Sequence, residues 1–525
     1  MHEGPASGDA AKLTCQIYPH TTYASPAPSK SEDFFSMNCL GPTNNRGLPY
    51  TQVFILKTMR PPRVILPHKR AVLAKQPLYK LNKNDLLINF TGDFAFAVPA
   101  KLDVSRLADA LSRTLASFPL FSGRLVREPE WAISLDPQPV PFSVREGAGP
   151  WWREREGNAV LRIQPGPPIE KINPLRLLRG EDPALFKATV ETSADSTLVG
   201  MSHSHIVADL SVAMQFMRTW SQNFLRGEPE PAPIYRNCDD LQPPADAERV
   251  RYIRSKVPGL LYDTFPLDDI PPSLFNPFPI TRVDVRLSGA QVAALHAALT
   301  GLAAGDSGPR LTAQDALTAL IVSAISASGE HPITQIHNVV NCRGIVPELV
   351  PLNSGANGLI YATTDPVVPA TPRSPTETFL TYARAIRTSI REARDPQYVR
   401  DFLAISGEAW HGPAVAKRGH YIAPTPGQII INSSYRSNWG GAHFGYPGQV
   451  CWLQPDTVPT DNYVLMYPSN AVPTEEGVWL ADAGACEVAF NVRKGREAAF
   501  EAALGEIWAD LVPGGEGAPR VLTYV

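Results

Sequence analysis

The feature that most constrains the fold of this 525-residue sequence is a break in the middle of its regular patterning. The stretch RGEPEPAPIYRNCDDLQPPADAERVR (226–251) is rich in proline and charge and has no apolar period, which is typical of a linker. The chain is also too long for one ordinary domain. The sequence therefore predicts an α+β protein of two halves: an irregular N-terminal extension (1–75), a first domain (76–225), a crossover linker (226–280) and a second domain (281–525).

Hydrophobic periodicity predicts strands and helices in both halves. DLLINFTGDFAFAV alternates as a strand does, and the helical stripe that follows it carries Leu107, Leu111 and Leu115 and ends before Pro119. STLVGMSHSHIV reads as a second strand, which leads into a helix with Trp220 on its apolar face. The second half shows the same alternation, with a strand in ITRVDVRL, a helix in TAQDALTALIVSAISAS and a final strand in ACEVAFNV.

Composition and missing motifs exclude several classes of protein. The formal net charge is −3 with no long run of either sign, so we expect no nucleic-acid partner. No apolar stretch approaches the ~20 residues of a membrane span and the N-terminus lacks an apolar signal core, so we expect no membrane partner and a cytoplasmic location. The six cysteines lack CxxC spacing and read as buried thiols. GxSxG, GxxxxGK[ST], GxGxxG and HExxH are absent, which argues against an acyl-enzyme hydrolase, a nucleotide hydrolase and a dehydrogenase.

The segment MSHSHIVADL (201–210) concentrates the chemistry-bearing residues and allows three interpretations. If it is extended, His203 and His205 share a face and could chelate a metal ion, but HIVADL lacks the further ligand that such sites use. The histidines could instead be core groups whose hydrogen bonds are satisfied. The third possibility is that His205, at a strand-to-helix junction, is a general base oriented by Asp209 one turn later.

Five segments in order resemble the HxxxD (BAHD-type) acyl-CoA-dependent acyltransferases, in particular divergent members from fungal secondary metabolism. They span the chain from about residue 77 to the C-terminus, and HIVAD supplies the HxxxD motif. The five segments are LADALSRTLASFPLFSGRL, HIVADLSVAMQFMRTW, LTAQDALTALIVSAIS, NVVNCRGIVPELVPLNSGANGLI and NSSYRSNWGGAHFG.

The resemblance implies two chloramphenicol-acetyltransferase-like domains with a channel at their interface. Acyl-CoA, with acetyl-CoA as the default, would enter from one face and a small secondary metabolite from the other. His205 would act as the general base in a direct transfer to a hydroxyl, or less readily to an amine, without a covalent acyl-enzyme. Asp209 would be structural and salt-bridged to Arg343. We expect a monomer with no bound cofactor and no metal.

The resemblance also implies an oxyanion donor and contacts with the acyl-CoA. Aligned without gaps, Asn432, Ser433 and Ser434 take the place of the family's Thr-Ser-Trp segment. The Asn432 amide or the Ser433 hydroxyl could donate to the tetrahedral oxyanion, or the pair could merely form a turn. Ser434 and Gly445 are the candidates for contacts with acyl-CoA.

The sequence departs from the family pattern at three places, and the loss of a tryptophan among them predicts a reshaped acceptor pocket. Leu210 follows the motif aspartate where glycine is usual, and His443 stands where the family has a structural aspartate. Ser434 replaces a tryptophan, and Trp439 lies too far along the sequence to substitute for it directly. His203 is expected to have a core or tautomer-setting role.

Two other functions remain open at this point. A condensation-type enzyme would take its acyl group from a carrier protein, but the HHxxxDG signature has Ser204 and Leu210 in place of its first histidine and its glycine. The other alternative is a retired or repurposed channel protein of the same fold, which the altered HFGYPG segment suggests and the intact His205/Asp209 pair argues against.

Overall fold

Two large β-sheets, one built mainly from each half of the sequence, organise the fold. The computed structural model describes part of the compact unit Leu56–Val525, namely residues 63–67, 77–88, 90–127, 130–136, 138–147, 152–155, 158–161, 169–237, 241–258, 264–267, 279–305, 307–367, 374–420, 425–453, 460–473, 479–515 and 517–523.

Within these residues the α-helices are α1 (Val104–Ser117), α2 (Pro174–Leu178), α3 (Leu210–Leu225), α4 (Ala247–Lys256), α5 (Gly289–Leu302), α6 (Ala313–Ser328), α7 (Pro375–Ala393), α8 (Pro396–Val415) and α9 (Glu497–Leu511). Short 3₁₀ helices occupy Lys83–Asp85 and Pro119–Ser122.

The strands described are β1 (Arg63–Ile65), β2 (Leu78–Lys80), β3 (Thr91–Val98), β4 (Arg124–Val126), β5 (Ala132–Ser134), β6 (Val140–Glu146), β7 (Trp152–Arg155), β8 (Asn158–Leu161), β9 (Phe186–Thr192), β10 (Thr197–Ser204), β11 (Thr264–Pro266), β12 (Ile280–Leu287), β13 (Gln335–Asn341), β14 (Leu359–Thr363), β15 (Arg418–His420), β16 (Gln428–Ser433), β17 (Cys451–Leu453), β18 (Tyr463–Pro468), β19 (Val472–Pro473), β20 (Trp479–Leu480), β21 (Cys486–Arg493) and β22 (Arg520–Thr523).

The first sheet has the strand order β1-β6-β9-β10-β3-β17 and presents the histidine segment at its centre. β10 pairs antiparallel with both β3 and β9, and every residue of β10 is buried. α1 begins at the N-cap Asp103, whose side chain accepts hydrogen bonds from two backbone N–H groups. The predicted stripe of α1 is confirmed, since Leu107, Leu111 and Leu115 are all fully buried.

The second sheet has the order β14-β13-β16-β18-β21-β12-β22 and divides its side chains between two cores. On β16, Ile429 and Ile431 join the core formed with α5, α6, α7 and α9, whereas Ile430 faces the core shared with the first half. This alternation follows from the two-residue period of a strand. It decides which side chains of β16 can reach a site between the sheets.

Some elements fall in segments where the sequence predicts none. β1 lies inside the predicted extension and pairs with β6, and α4 lies inside the predicted linker. α4 buries only Ile253 and Lys256, so its sequence carries no apolar stripe to detect. β17 comes from the second half but pairs with β3 of the first sheet. The predicted domain boundaries stay a prediction.

None of the described helices is long and apolar enough to cross a membrane.

Candidate active site

The HxxxD segment forms the junction between β10 and α3. β10 ends at Ser204, a short turn follows, and Asp209 is the N-cap of α3. The Asp209 carboxylate accepts a hydrogen bond from the Val212 N–H at 3.1 Å, which satisfies one of the free donors at the helix start. The aspartate therefore fixes where the helix begins, and with it the turn that presents His205.

Asp209 and Arg343 form a buried ion pair between the two halves of the chain. Arg343 Nη1 lies 2.7 Å from Asp209 Oδ2, and the Gly358 N–H donates to the same oxygen at 3.0 Å. Arg343 also donates to the carbonyls of Ser354 and Ala356. Burial alone would raise the pKa of Asp209, but Arg343 and the two backbone N–H groups hold it below its ordinary value. The carboxylate is charged, fully engaged and unable to take up a proton near neutral pH.

His205 is held by its backbone, and its side chain faces a cavity. Its N–H donates to the Phe90 carbonyl at 2.8 Å, and its own carbonyl accepts from Asn357 Nδ2 at 3.0 Å. The Nδ1 atom of the imidazole is buried, which leaves Nε2 as the nitrogen able to face the cavity that His205 lines. Burial lowers the pKa of His205, against the opposing effects of Asp209, its own carbonyl and Asn357. The ring is neutral near pH 7 and can accept a proton.

The cavity in front of His205 has a volume of about 190 Å³ and lies between the two sheets. Its walls come from β3 and the start of α3 on one side, and from β13, β14, β16, β18 and α8 on the other. The lining is rich in aromatic side chains: Phe90, Phe94, Tyr361, Trp410, Tyr463 and Tyr467. An apolar pocket with a few polar groups is the usual form of a site for a small organic molecule.

His203 is a neutral, packed group beside the same cavity. Its side chain is 2% exposed, and burial followed by the neighbouring His205 lowers its pKa to about 3. The ring lies over Gly92, the residue opposite it on β3, where a Cβ would come within 2.2 Å of Cε1. In the described part of the chain, His, Cys, Asp and Glu side chains form no group of three that could hold a metal ion.

The pleat of β16 separates the two oxyanion candidates. Asn432 faces the cavity, and its Nδ2 donates to the Tyr463 hydroxyl at 3.2 Å. Ser433 points to the opposite face, where its hydroxyl donates to Gln314 of α6 at 3.0 Å. Of the two, only Asn432 lies in the same cavity as His205.

Ser434 and Trp439 are neighbours in space although five residues separate them in sequence. The Trp439 indole N–H donates to Ser434 Oγ at 3.2 Å, and Ser434 Oγ donates to the Met466 carbonyl at 3.1 Å. The indole packs against Phe94 and Trp452 in the buried core. The loop folds back on the strand end and brings Trp439 next to Ser434, but Trp439 is not among the described residues that line the cavity, and the expectation that it does not directly replace the family's tryptophan stays a prediction. Ser434 lines the cavity, and the only proton of its hydroxyl is already donated to the Met466 carbonyl.

The HFG turn lies apart from this cavity. Gly445 is exposed, has a φ of 102° and is not among the described lining residues. His443 Nδ1 accepts a hydrogen bond from the Gly445 N–H at 3.1 Å, and Phe444 packs against Trp220 of α3. Burial lowers the pKa of His443, which favours the neutral ring that can accept this bond. The histidine thus closes its own turn by a local contact, as an aspartate side chain can.

Asp85 and Asn357 belong to the site but were missed in the sequence. Asp85 is 1% exposed and accepts hydrogen bonds from the Asn357 N–H at 2.8 Å and Nδ2 at 3.0 Å, while Asn82 Nδ2 donates to its other oxygen at 2.8 Å. Burial raises its pKa to about 6 despite these bonds. The Asn357 amide also donates to the His205 backbone carbonyl, so Asn357 links Asp85 to the turn that carries His205. The capping-box spacing of Asn82 and Asp85 is the sequence signal that could have drawn attention to them.

The architecture defines a fold class, the two-domain chloramphenicol-acetyltransferase-like fold. The predicted fold class is confirmed by comparison with solved structures. No protein-family model matches the sequence, and no curated protein matches it either.

Individual structures share this fold at low sequence identity. TRI101 of F. graminearum, complexed with coenzyme A and deoxynivalenol, is 13% identical with a TM-score of 0.56 over 85% of this chain and 99% of that chain. Vinorine synthase is 17% identical with a TM-score of 0.54 over 87% and 98%. The X-domain from teicoplanin biosynthesis is 14% identical with a TM-score of 0.51 over 85% and 98%.

Proposed function

We propose that this protein is an acyl-CoA-dependent acyltransferase that moves an acyl group, by default acetyl, to a hydroxyl or amine of a small, largely apolar metabolite. The observation that carries the proposal is a neutral His205 in an apolar cavity, on a turn locked by the Asp209–Arg343 ion pair. The TRI101 structure, in which the same fold is complexed with coenzyme A and deoxynivalenol, supports it.

The chemistry follows from the protonation states of the site. As the acceptor oxygen attacks the thioester carbonyl carbon, His205 Nε2 takes the proton of the acceptor hydroxyl. The carbonyl electron pair moves onto oxygen and forms a tetrahedral oxyanion. When that pair returns, the C–S bond breaks and the CoA thiolate leaves, taking the proton back from the imidazolium. Asp209 stays ionised throughout and holds the turn.

Oxygen is the more favourable nucleophile for this arrangement. Burial keeps the imidazole neutral, and a neutral imidazole can take the proton that an alcohol must lose during the attack. An amine acceptor would be protonated in water and would have to enter the cavity uncharged. We therefore propose O-transfer ahead of N-transfer. The predicted fungal metabolism, cytoplasmic location and monomeric state stay predictions.

The test of this function is transfer from acetyl-CoA to an acceptor by purified wild-type protein and by His205→Ala. His331→Ala is the matched control, since His331 is exposed and lies outside the cavity. We expect His205→Ala to abolish transfer with an unchanged circular dichroism spectrum and His331→Ala to behave as wild type. Transfer retained by His205→Ala would reject the assignment.

A carrier-bound acyl donor is the second candidate, and the fold shared with the X-domain from teicoplanin biosynthesis is compatible with it. In this chain Leu210 takes the glycine position of the HHxxxDG signature and lines the cavity. Competition between free acetyl-CoA and an acyl-loaded carrier protein separates the two donors. If the protein accepts an acyl group neither from acetyl-CoA nor from the carrier protein, that result supports the alternative of a retired or repurposed channel protein.

A further inference from the structure

We infer that the Tyr463 hydroxyl donates the hydrogen bond to the thioester carbonyl oxygen during transfer, and that Asn432 is a positioning residue behind it. The inference rests on the proposed acyl transfer at His205. It replaces the donors expected from the sequence, Asn432 and Ser433, with a residue that no sequence motif indicates.

The strand pairing brings Tyr463 to the cavity. Tyr463 is the first residue of β18, which runs parallel to β16, and Asn432 lies one pleat further along, opposite Leu465. Asn432, Tyr463 and Leu465 all line the cavity, while Val464 points to the helix side. Tyr463 and His205 therefore stand in the walls of one small cavity, from opposite halves of the chain.

The hydrogen bonds leave the proton of the Tyr463 hydroxyl available at this wall. Asn432 Nδ2 donates to Tyr463 Oη at 3.2 Å, so the phenol oxygen acts as an acceptor. Among the described residues no acceptor takes the phenol's own proton. Burial raises the pKa of Tyr463, so the phenol keeps that proton. A hydroxyl that already accepts a hydrogen bond is also polarised into a stronger donor.

The hydroxyls of Ser433 and Ser434, which follow Asn432 at the same strand end, are engaged elsewhere. Ser433 donates to Gln314, and Ser434 donates to the Met466 carbonyl while it accepts from Trp439. When the carbonyl electron pair moves onto oxygen, the new oxyanion needs a donor that is already in place. The Tyr463 O–H supplies it as a hydrogen bond, without giving up its proton, and His205 alone carries the proton from acceptor to thiolate.

The test measures release of the CoA thiol from acetyl-CoA by wild type, Tyr463→Phe, Asn432→Ala and the double variant. We expect Tyr463→Phe to lower kcat by about 100- to 1,000-fold, the usual effect of losing one oxyanion donor, with KM for acetyl-CoA little changed. Asn432→Ala should cost less, and it should add nothing in the Tyr463→Phe background because it acts through the phenol. Tyr446→Phe, in the turn after His443 and outside the cavity lining, is the matched control.

A second readout separates chemistry from folding. The infrared C=O stretch of bound ¹³C-labelled acetyl-CoA should lie at lower frequency in wild type than in Tyr463→Phe, because the phenol polarises the carbonyl. If Tyr463→Phe keeps wild-type kcat and carbonyl frequency while Asn432→Ala loses activity, the amide is the donor and the inference is wrong. In that case a dead His205→Ala still upholds the proposed function. A wild-type protein that neither binds nor cleaves acetyl-CoA would overturn both.

Discussion

The ion pair between Asp209 and Arg343 gives the sharpest prediction about stability. The two side chains are 0% and 4% exposed, and Arg343 also donates to two backbone carbonyls. Arg343→Met removes the charge, keeps much of the volume and leaves Asp209 buried without its cation. Breaking a buried pair in this way costs about 3–5 kcal/mol of the free energy of unfolding. We expect Arg343→Met to lose that amount at pH 7.5 together with its transfer activity.

The pH dependence of the stability lost in Arg343→Met tests whether the buried charge of Asp209 causes that loss. In wild type the pKa of Asp209 is depressed, so the carboxylate contributes stability above its unfolded pKa and loses it as the pH falls through the folded one. In Arg343→Met, burial without the guanidinium raises the pKa of Asp209, and protonation relieves the buried charge as the pH falls.

The deficit of Arg343→Met relative to wild type should therefore shrink between pH 7.5 and pH 5. Urea unfolding at both pH values, followed by circular dichroism and tryptophan fluorescence, measures it. Adding Asp209→Asn to Arg343→Met should recover part of the stability at pH 7.5. A deficit that is the same at both pH values and not relieved by Asp209→Asn would refute the electrostatic reasoning.

Three further predictions concern the residues around His205. Gly92→Ala places a Cβ 2.2 Å from Cε1 of the buried His203, so we expect a loss of about 1–3 kcal/mol in the free energy of unfolding measured with urea. Gly301→Ala, inside α5 and with nothing within 4 Å of its Cβ, should lose no stability; equal losses in the two variants would contradict the packing. Asp85 has its pKa raised from 3.8 to about 6, so it binds a proton more readily when folded, and stability should fall as the pH rises from about 4 to 6. Asp85→Asn should remove that fall, and a wild-type-like slope in the variant would show that Asp85 is not its source. Because burial lowers the pKa of His205 below 6.5, the acid limb of log(kcat/KM) for the wild type should lie below pH 6.5. A limb centred above pH 6.5 would mean that another group titrates.

Local patterns predicted the elements and the motif, because both depend on short stretches of sequence. The stripe of Leu107, Leu111 and Leu115 needs only the helical period, and the strand-to-helix junction at Asp209 needs only an N-cap before an apolar run. The pairing of Arg343 with Asp209 was reachable because the family resemblance supplies the partner.

The rest of the site depends on facts that a single sequence does not carry. Whether Asn432 or Ser433 faces the cavity depends on the phase of β16, and both have a plausible hydrogen-bonding side chain. The contact of His203 with Gly92 depends on the register of two strands that are distant in sequence. Asp85 and Asn357 form a hydrogen bond although 272 positions separate them in the sequence, and the local sequence around either residue does not predict this contact.

The loop after β16 illustrates how spacing can mislead. Trp439 is five residues from Ser434, too far for a substitution within an extended strand. In the structure the chain turns at the end of the strand, and the indole N–H returns to the serine hydroxyl. Spacing along a loop sets an upper limit on distance and gives no direction.

The most direct test of the central claim is mass spectrometry of products and protein after incubation with acetyl-CoA and a metabolite extract of the host. Wild type should yield a metabolite heavier by one acetyl group while the protein mass stays unchanged, and His205→Ala should yield neither product nor modified protein. An acetylated product formed by His205→Ala, or an acetyl group found on the wild-type protein as an intermediate, would contradict direct transfer at His205.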